Sequence, residues 1–181
     1  MKYTLTLLPA IALALSSCSE KPSETTSTQT ETQGATTLQS FLVSKAPENP
    51  VTINKVRGTA KAGDTVTITG KILGANSVLV DNRAIMILGD PNFLTSCDLG
   101  HDDHCSTPWD VCCDDVDNIN ANIVTVQAVD AEGRPLKQGF RGLGGISELS
   151  HITLSGTVAE GSNDKNMLVN ASQLFVHPAK Q

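Results

Sequence analysis

The sequence predicts an all-β domain, a five-stranded OB-fold-like barrel. Three observations carry that expectation. Apolar residues alternate with Thr, Ser or Lys along Val66–Ile72 and along Ile152–Val158, the period of a strand with one face buried. The two stretches, VTITGKI and ITLSGTV, echo each other, each with a glycine in the middle. Glycine inside a strand marks a bulge or sharp bend, and a small barrel needs such bends where one strand serves two sheets. Finally, five strand-like segments follow one another, with a short helix expected between the third and fourth.

Val66–Ile72 is the first strand. The second is the continuous apolar run AIMIL, Ala84–Leu88, which reads as a central strand. Ile123–Ala128 is the third, ended by the turn signal Asp130-Ala131-Glu132-Gly133. The glycine-rich stretch from Gly139 to Gly145 follows, and the short helix is predicted at Ile146–Ser150. That stretch lacks the Gly-Lys-Ser/Thr sequence of a phosphate-binding loop. Ile152–Val158 and Leu168–Val176 complete the set, and Pro178 stops the last. The competing architecture, an immunoglobulin-type β-sandwich, calls for more strands than these.

Composition bounds the function. Aromatic residues are 3% of the chain and the formal net charge is −6. Nucleic-acid binders present a basic face and stacking aromatics, so no nucleic-acid partner is expected. No Lys or Arg lies between Arg83 and Arg134, whereas ten of the nineteen acidic residues do. That segment attracts cations and repels polyanions.

The amino-terminal segment gives an address. Lys2 precedes a mostly apolar run from Thr4 to Leu15, too short to span a bilayer as a helix. Leu15-Ser16-Ser17-Cys18 then resembles the lipobox of bacterial lipoproteins. The resemblance implies a signal peptide over residues 1–17, cleavage before Cys18 and lipidation of Cys18. It also implies a membrane partner through that lipid, with the protein held in the cell envelope. Ser19, rather than Asp, after the cysteine favours the outer membrane, facing the periplasm or the cell surface. Residues 18–45 are rich in Ser, Thr, Gln and Glu and read as a disordered tether. The barrel is expected over 46–178.

The other four cysteines fall in one insertion, residues 90–117, which also carries eight aspartates and Trp109, the only tryptophan. An insertion this long must be held by something. Outside the cytoplasm, disulfides among Cys97, Cys105, Cys112 and Cys113 would hold it. A bond between the adjacent Cys112 and Cys113 would strain its ring, so each is expected to pair with Cys97 or Cys105, in an order the spacing leaves open. The rival is a metal, zinc or copper, on Cys97, His101, His104, Cys105, Cys112 and Cys113. Were 97–105 helical, Cys97, His101 and Cys105 would share a stripe with His104 beside it; Gly100 weighs against that helix. A third reading is thiol–disulfide exchange through Cys112 and Cys113. Trp109 reads as a plug packing the insertion onto the barrel, or as an exposed contact for a partner. No nucleophilic triad stands out, so no catalytic residue and no obligatory cofactor are assigned. The protein or small-molecule partner is left open.

The segment Cys105-Ser-Thr107-Pro108-Trp109-Asp110-Val-Cys112-Cys113 resembles a C-x-T-P-W-D-x-C-C motif in a family of uncharacterised exported bacterial proteins. Asp130-Ala-Glu-Gly133-Arg-Pro135-Leu136-Lys137 and Val169–Val176 match further parts of that pattern, so the resemblance runs from about Ala84 to Val176. It implies an OB-like fold and transfers no activity. Three functions stay open: a non-enzymatic lipoprotein with a binding or structural role in the envelope, a periplasmic metal-binding protein, and a redox protein.

Overall fold

The computed structural model describes residues 36–99 and 105–179. The alternating stretches become strands as their period dictates. Strand β2 (Thr65–Lys71) buries Val66, Ile68 and Gly70 and turns its threonines outward. β3 (Ile85–Gly89), β4 (Ile123–Gln127), β5 (His151–Val158) and β6 (Leu168–Val176) follow, within a residue or so of the segments expected from the sequence. β1 is a two-residue strand (Val51–Thr52) lying parallel to β2.

These strands form one sheet in the order β1-β2-β3-β4-β6-β5, and β5 pairs back onto β2. Five strands, β2 to β6, therefore close a small all-β barrel, which has no sandwich of two separate sheets. The β2–β5 seam is antiparallel over seven residue pairs, from Thr65↔Thr157 to Lys71↔His151. β4 and β6 run parallel; all other pairs around the ring are antiparallel. Side chains from every strand fill the interior, among them Ile68, Met86, Leu88, Val126, Ile152, Leu154, Val169 and Leu174, all fully buried.

The two mid-strand glycines serve close approaches. A Cβ on Gly70 would stand 2.5 Å from Ile53 Cδ1 and 2.9 Å from the Gly89 carbonyl. Gly70 thus makes room for helix α1 (Ile53–Thr59), which buries Ile53 and Val56 against the barrel. Gly156 sits at a bulge: the β5–β6 register shifts between Ser155 and Gly156. A Cβ there would overlap the Asn170 carbonyl oxygen, with Val169 Cγ1 at 2.9 Å.

Two expectations are corrected. The turn before β5 is a short 3-10-like turn at Leu143–Gly145, broken by the positive φ of Gly144 (56°) and Gly145 (86°), and Ile146–Ser150 is not helical. Leu149 adopts φ 65°, the left-handed region that a right-handed helix cannot include, while Ile146 is buried in the core. Packing also begins before residue 46. A 3-10 turn at Leu38–Phe41 buries Leu38, and Leu42 bridges Leu174 of β6. The Val43 N–H donates to the Leu174 carbonyl at 2.9 Å. Leu38, Phe41 and Leu42 pack on the core, which a Ser/Thr-rich composition averaged over 18–45 conceals. The expected signal peptide, Cys18 and the part of the expected tether before residue 36 lie outside the described residues. Among the described residues no helix is long and apolar enough to cross a membrane.

Candidate functional site: the cysteine-bearing insertion

The insertion leaves the barrel at Asp90, after β3, and returns through helix α2 (Val116–Asn122) into β4. Its base is a buried polar knot. Asp90, 1% exposed, accepts hydrogen bonds from the Asn54 backbone N–H (3.1 Å) and from the Asn92 N–H (3.1 Å) and Nδ2 (2.9 Å). Its own N–H donates to the Asn122 carbonyl at 2.9 Å. Asn54 Nδ2 donates to Asn122 Oδ1 at 2.8 Å, and Asn122 Nδ2 donates back to the Asn118 carbonyl at 2.9 Å. The contact with Asn54 doubles as a helix cap. Thr52, the N-cap of α1, makes no side-chain cap bond, and the Asp90 carboxylate supplies that acceptor to an otherwise orphaned N–H.

Above the knot a small second core, Leu73, Leu94 and Val111, fixes the two arms, with Ile119 and Ile123 beside it. Asp115 caps α2, accepting from the Asn118 N–H at 2.9 Å. Trp109 is half-buried against the main core. Its Nε1 donates to the Asn76 carbonyl at 2.8 Å, and its carbonyl accepts from Gly74 N–H at 3.1 Å. Both its apolar body and its polar edge therefore face the barrel.

The arms run side by side. Cys97 N–H donates to the Asp110 carbonyl at 2.8 Å and Asp98 N–H to that of Pro108 at 2.9 Å. Thr95 N–H reaches Asp114 Oδ2 at 2.8 Å, and Lys71 of β2 pairs with Asp98 at 3.1 Å. This pairing brings Cys97 Sγ to 3.7 Å from Cys112 Sγ, against about 2.0 Å for a disulfide. Cys105 Sγ lies 3.4 Å from the Thr107 carbonyl and 3.6 Å from its hydroxyl. Cys112 and Cys113 are exposed. His101 and His104 lie outside the described residues. Cys97–Leu99 forms a 3-10 turn rather than the start of an α-helical stripe. Among the described residues no group of three or more His, Cys, Asp or Glu side chains is arranged to hold a metal ion.

The thiols are not equivalent. Contact with Cys105, then loss of solvent, then contact with Cys112 push the Cys97 thiol up to about 12. Hydrogen bonding to the Thr107 hydroxyl, then to Cys97 and the Thr107 backbone, holds Cys105 below the ordinary thiol value. A raised value keeps Cys97 protonated as pH rises, and a lowered one exposes the Cys105 thiolate first. Since the thiolate is the nucleophile, iodoacetamide at about pH 8 is expected to label Cys97 at least about tenfold more slowly than Cys105. Peptide mapping of the reduced chain over a time course checks this, and equal rates would refute it.

Away from the insertion, Arg57, Ala60, Lys61, Ser162, Asn163 and Met167 line a pocket of about 160 Å³, below the 300–1,000 Å³ or so of common small-molecule sites. Arg57 is already engaged, donating to the carbonyls of Asn120 and of Asp164, itself a lining residue, both at 2.6 Å.

Comparison with known proteins gives no match: no family model, no curated protein and no solved structure aligns with this chain.

Proposed function

We propose that this chain is an exported lipoprotein, acylated on Cys18, that displays an OB-like barrel in the cell envelope as a non-enzymatic binding or structural module. The observation that carries the reading is Leu15-Ser16-Ser17-Cys18 behind a short basic and apolar leader. About 20 residues separate Cys18 from Leu38, the first core residue. Their polar composition suits a flexible spacer with a reach of about 25 Å, enough to hold the barrel clear of lipid headgroups.

The strand order supports the finer assignment. Starting at β2, each strand pairs with its successor up to β4; β4 then pairs in parallel with β6, and β5 closes the ring between β6 and β2. That order agrees with a five-stranded Greek-key barrel of the OB kind, in which the face of the second and third strands binds ligands. Those strands are β3 and β4 here, and the insertion joins them. The resemblance around Thr107–Cys113 to exported bacterial proteins agrees with the same reading.

The test is lipid labelling of the full chain in a bacterial host. A labelled fatty acid is expected to be incorporated, the mature chain to begin at Cys18, and the protein to pellet with membranes. Cys18→Ser is expected to abolish all three. A full-length, unlabelled chain in the cytosol would overturn the proposal.

A further inference from the structure

We infer that Cys97 and Cys112 form an intrachain disulfide that locks the two arms of the insertion together. Three observations point to this pair among the pairings the sequence leaves open. The sulfurs are in contact at 3.7 Å. Hydrogen bonds on both sides of Cys97 fix the two backbones opposite each other: Cys97 to Asp110, Asp98 to Pro108, and Thr95 to the side chain of Asp114. Leu94 and Val111, one residue beyond that contact on Cys112's arm and three before Cys97 on the other, share one small core, so both cysteines are anchored before any bond forms. Cys105, the other candidate for Cys97, also touches it, but its thiol is shared with the Thr107 carbonyl and hydroxyl, and among the described residues no backbone ladder sets its arm opposite Cys97.

The oxidant is an external disulfide, small-molecule or protein-borne. The exposed Cys112 loses its proton and its thiolate attacks one sulfur of that disulfide, forming a mixed disulfide and releasing one thiolate. Cys97, deprotonated in turn, attacks Cys112 Sγ and expels the second. The protein gives up two electrons and two protons, and the oxidant leaves as two thiols. The inference rests on the proposed export for its occurrence in the cell, but the choice of partner rests on geometry alone, and the two are separable by experiment.

The full-length chain carrying Cys18→Ser is purified reduced and equilibrated in a glutathione redox buffer, then quenched, alkylated and analysed by intact mass and peptide mapping. Three double variants isolate one pair each: Cys105→Ser/Cys113→Ser keeps Cys97 with Cys112, Cys105→Ser/Cys112→Ser keeps Cys97 with Cys113, and Cys112→Ser/Cys113→Ser keeps Cys97 with Cys105. The first is expected to oxidise with an equilibrium constant at least about tenfold above the others, and that preference is expected to vanish in denaturant. A comparator that equals or exceeds it, or a preference that persists unfolded, would overturn the pairing. So would a chain that, given zinc, retains one equivalent with all its thiols reduced. Thiol trapping on intact cells then reads the address separately: a pair that oxidises in vitro and stays reduced in cells leaves the pairing standing and removes the export reading.

Discussion

Asp90→Ala is expected to lower the unfolding free energy by about 3 kcal/mol, measured by chemical denaturation of the reduced chain. The carboxylate is buried and accepts three N–H groups, one of them at the start of α1. Its removal strands the Asn54 N–H, whose helix has no cap of its own, while Asn92 is exposed and water replaces part of what it loses. Asp90→Asn is expected to cost less, about 1–2 kcal/mol, because an amide keeps one acceptor and turns a donor toward donors. Amide exchange gives the local signature: the Asn54 amide of α1 should lose protection first. A cost for Asp90→Ala below about 1 kcal/mol would show that the polar knot does not hold the insertion to the barrel.

Gly156→Ala is the second large effect, an expected loss of about 3 kcal/mol. Strand propensity alone would favour alanine over glycine, so the sign itself is diagnostic. The added methyl meets a backbone carbonyl, that of Asn170, and a backbone cannot swing aside as a flexible side chain can. Gly58→Ala provides the contrast. It lies in α1, nothing stands within 4 Å of its added Cβ, and the change is expected to stabilise by up to about 1 kcal/mol. Thermal or denaturant unfolding of the two variants side by side separates steric from conformational causes. A neutral Gly156→Ala would mean that the bulge relaxes.

The five barrel strands were legible because each carries a local signal, an alternation or an apolar run. Val66 to Lys71 alternates burial residue by residue, and Ala84–Leu88 is a short apolar run without a polar face. The glycine echo was legible for the same reason, although its cause, α1 at Gly70 and the β6 backbone at Gly156, is tertiary. The two helices were not legible. Each has seven residues, too few for an amphipathic repeat to declare itself, and α1 takes its cap from Asp90, 36 residues away. Leu38 and Leu42 were missed because two or three apolar residues at the end of a polar segment carry no period. In the insertion, the cysteines stand out by their number, whereas the ladder between residues 97–98 and 108–110 that sets Cys97 near Cys112 leaves no trace in their spacing.

The docking of Leu38–Val43 beside β6 has a mechanical side. Any tug arriving from the amino-terminal direction meets the buried Leu38 and then the Leu42–Leu174 bridge, where the two segments run parallel and the load is borne in shear. The last strand in the sequence is therefore the first to feel it, while the insertion, carried between β3 and β4, stands aside from the line of force.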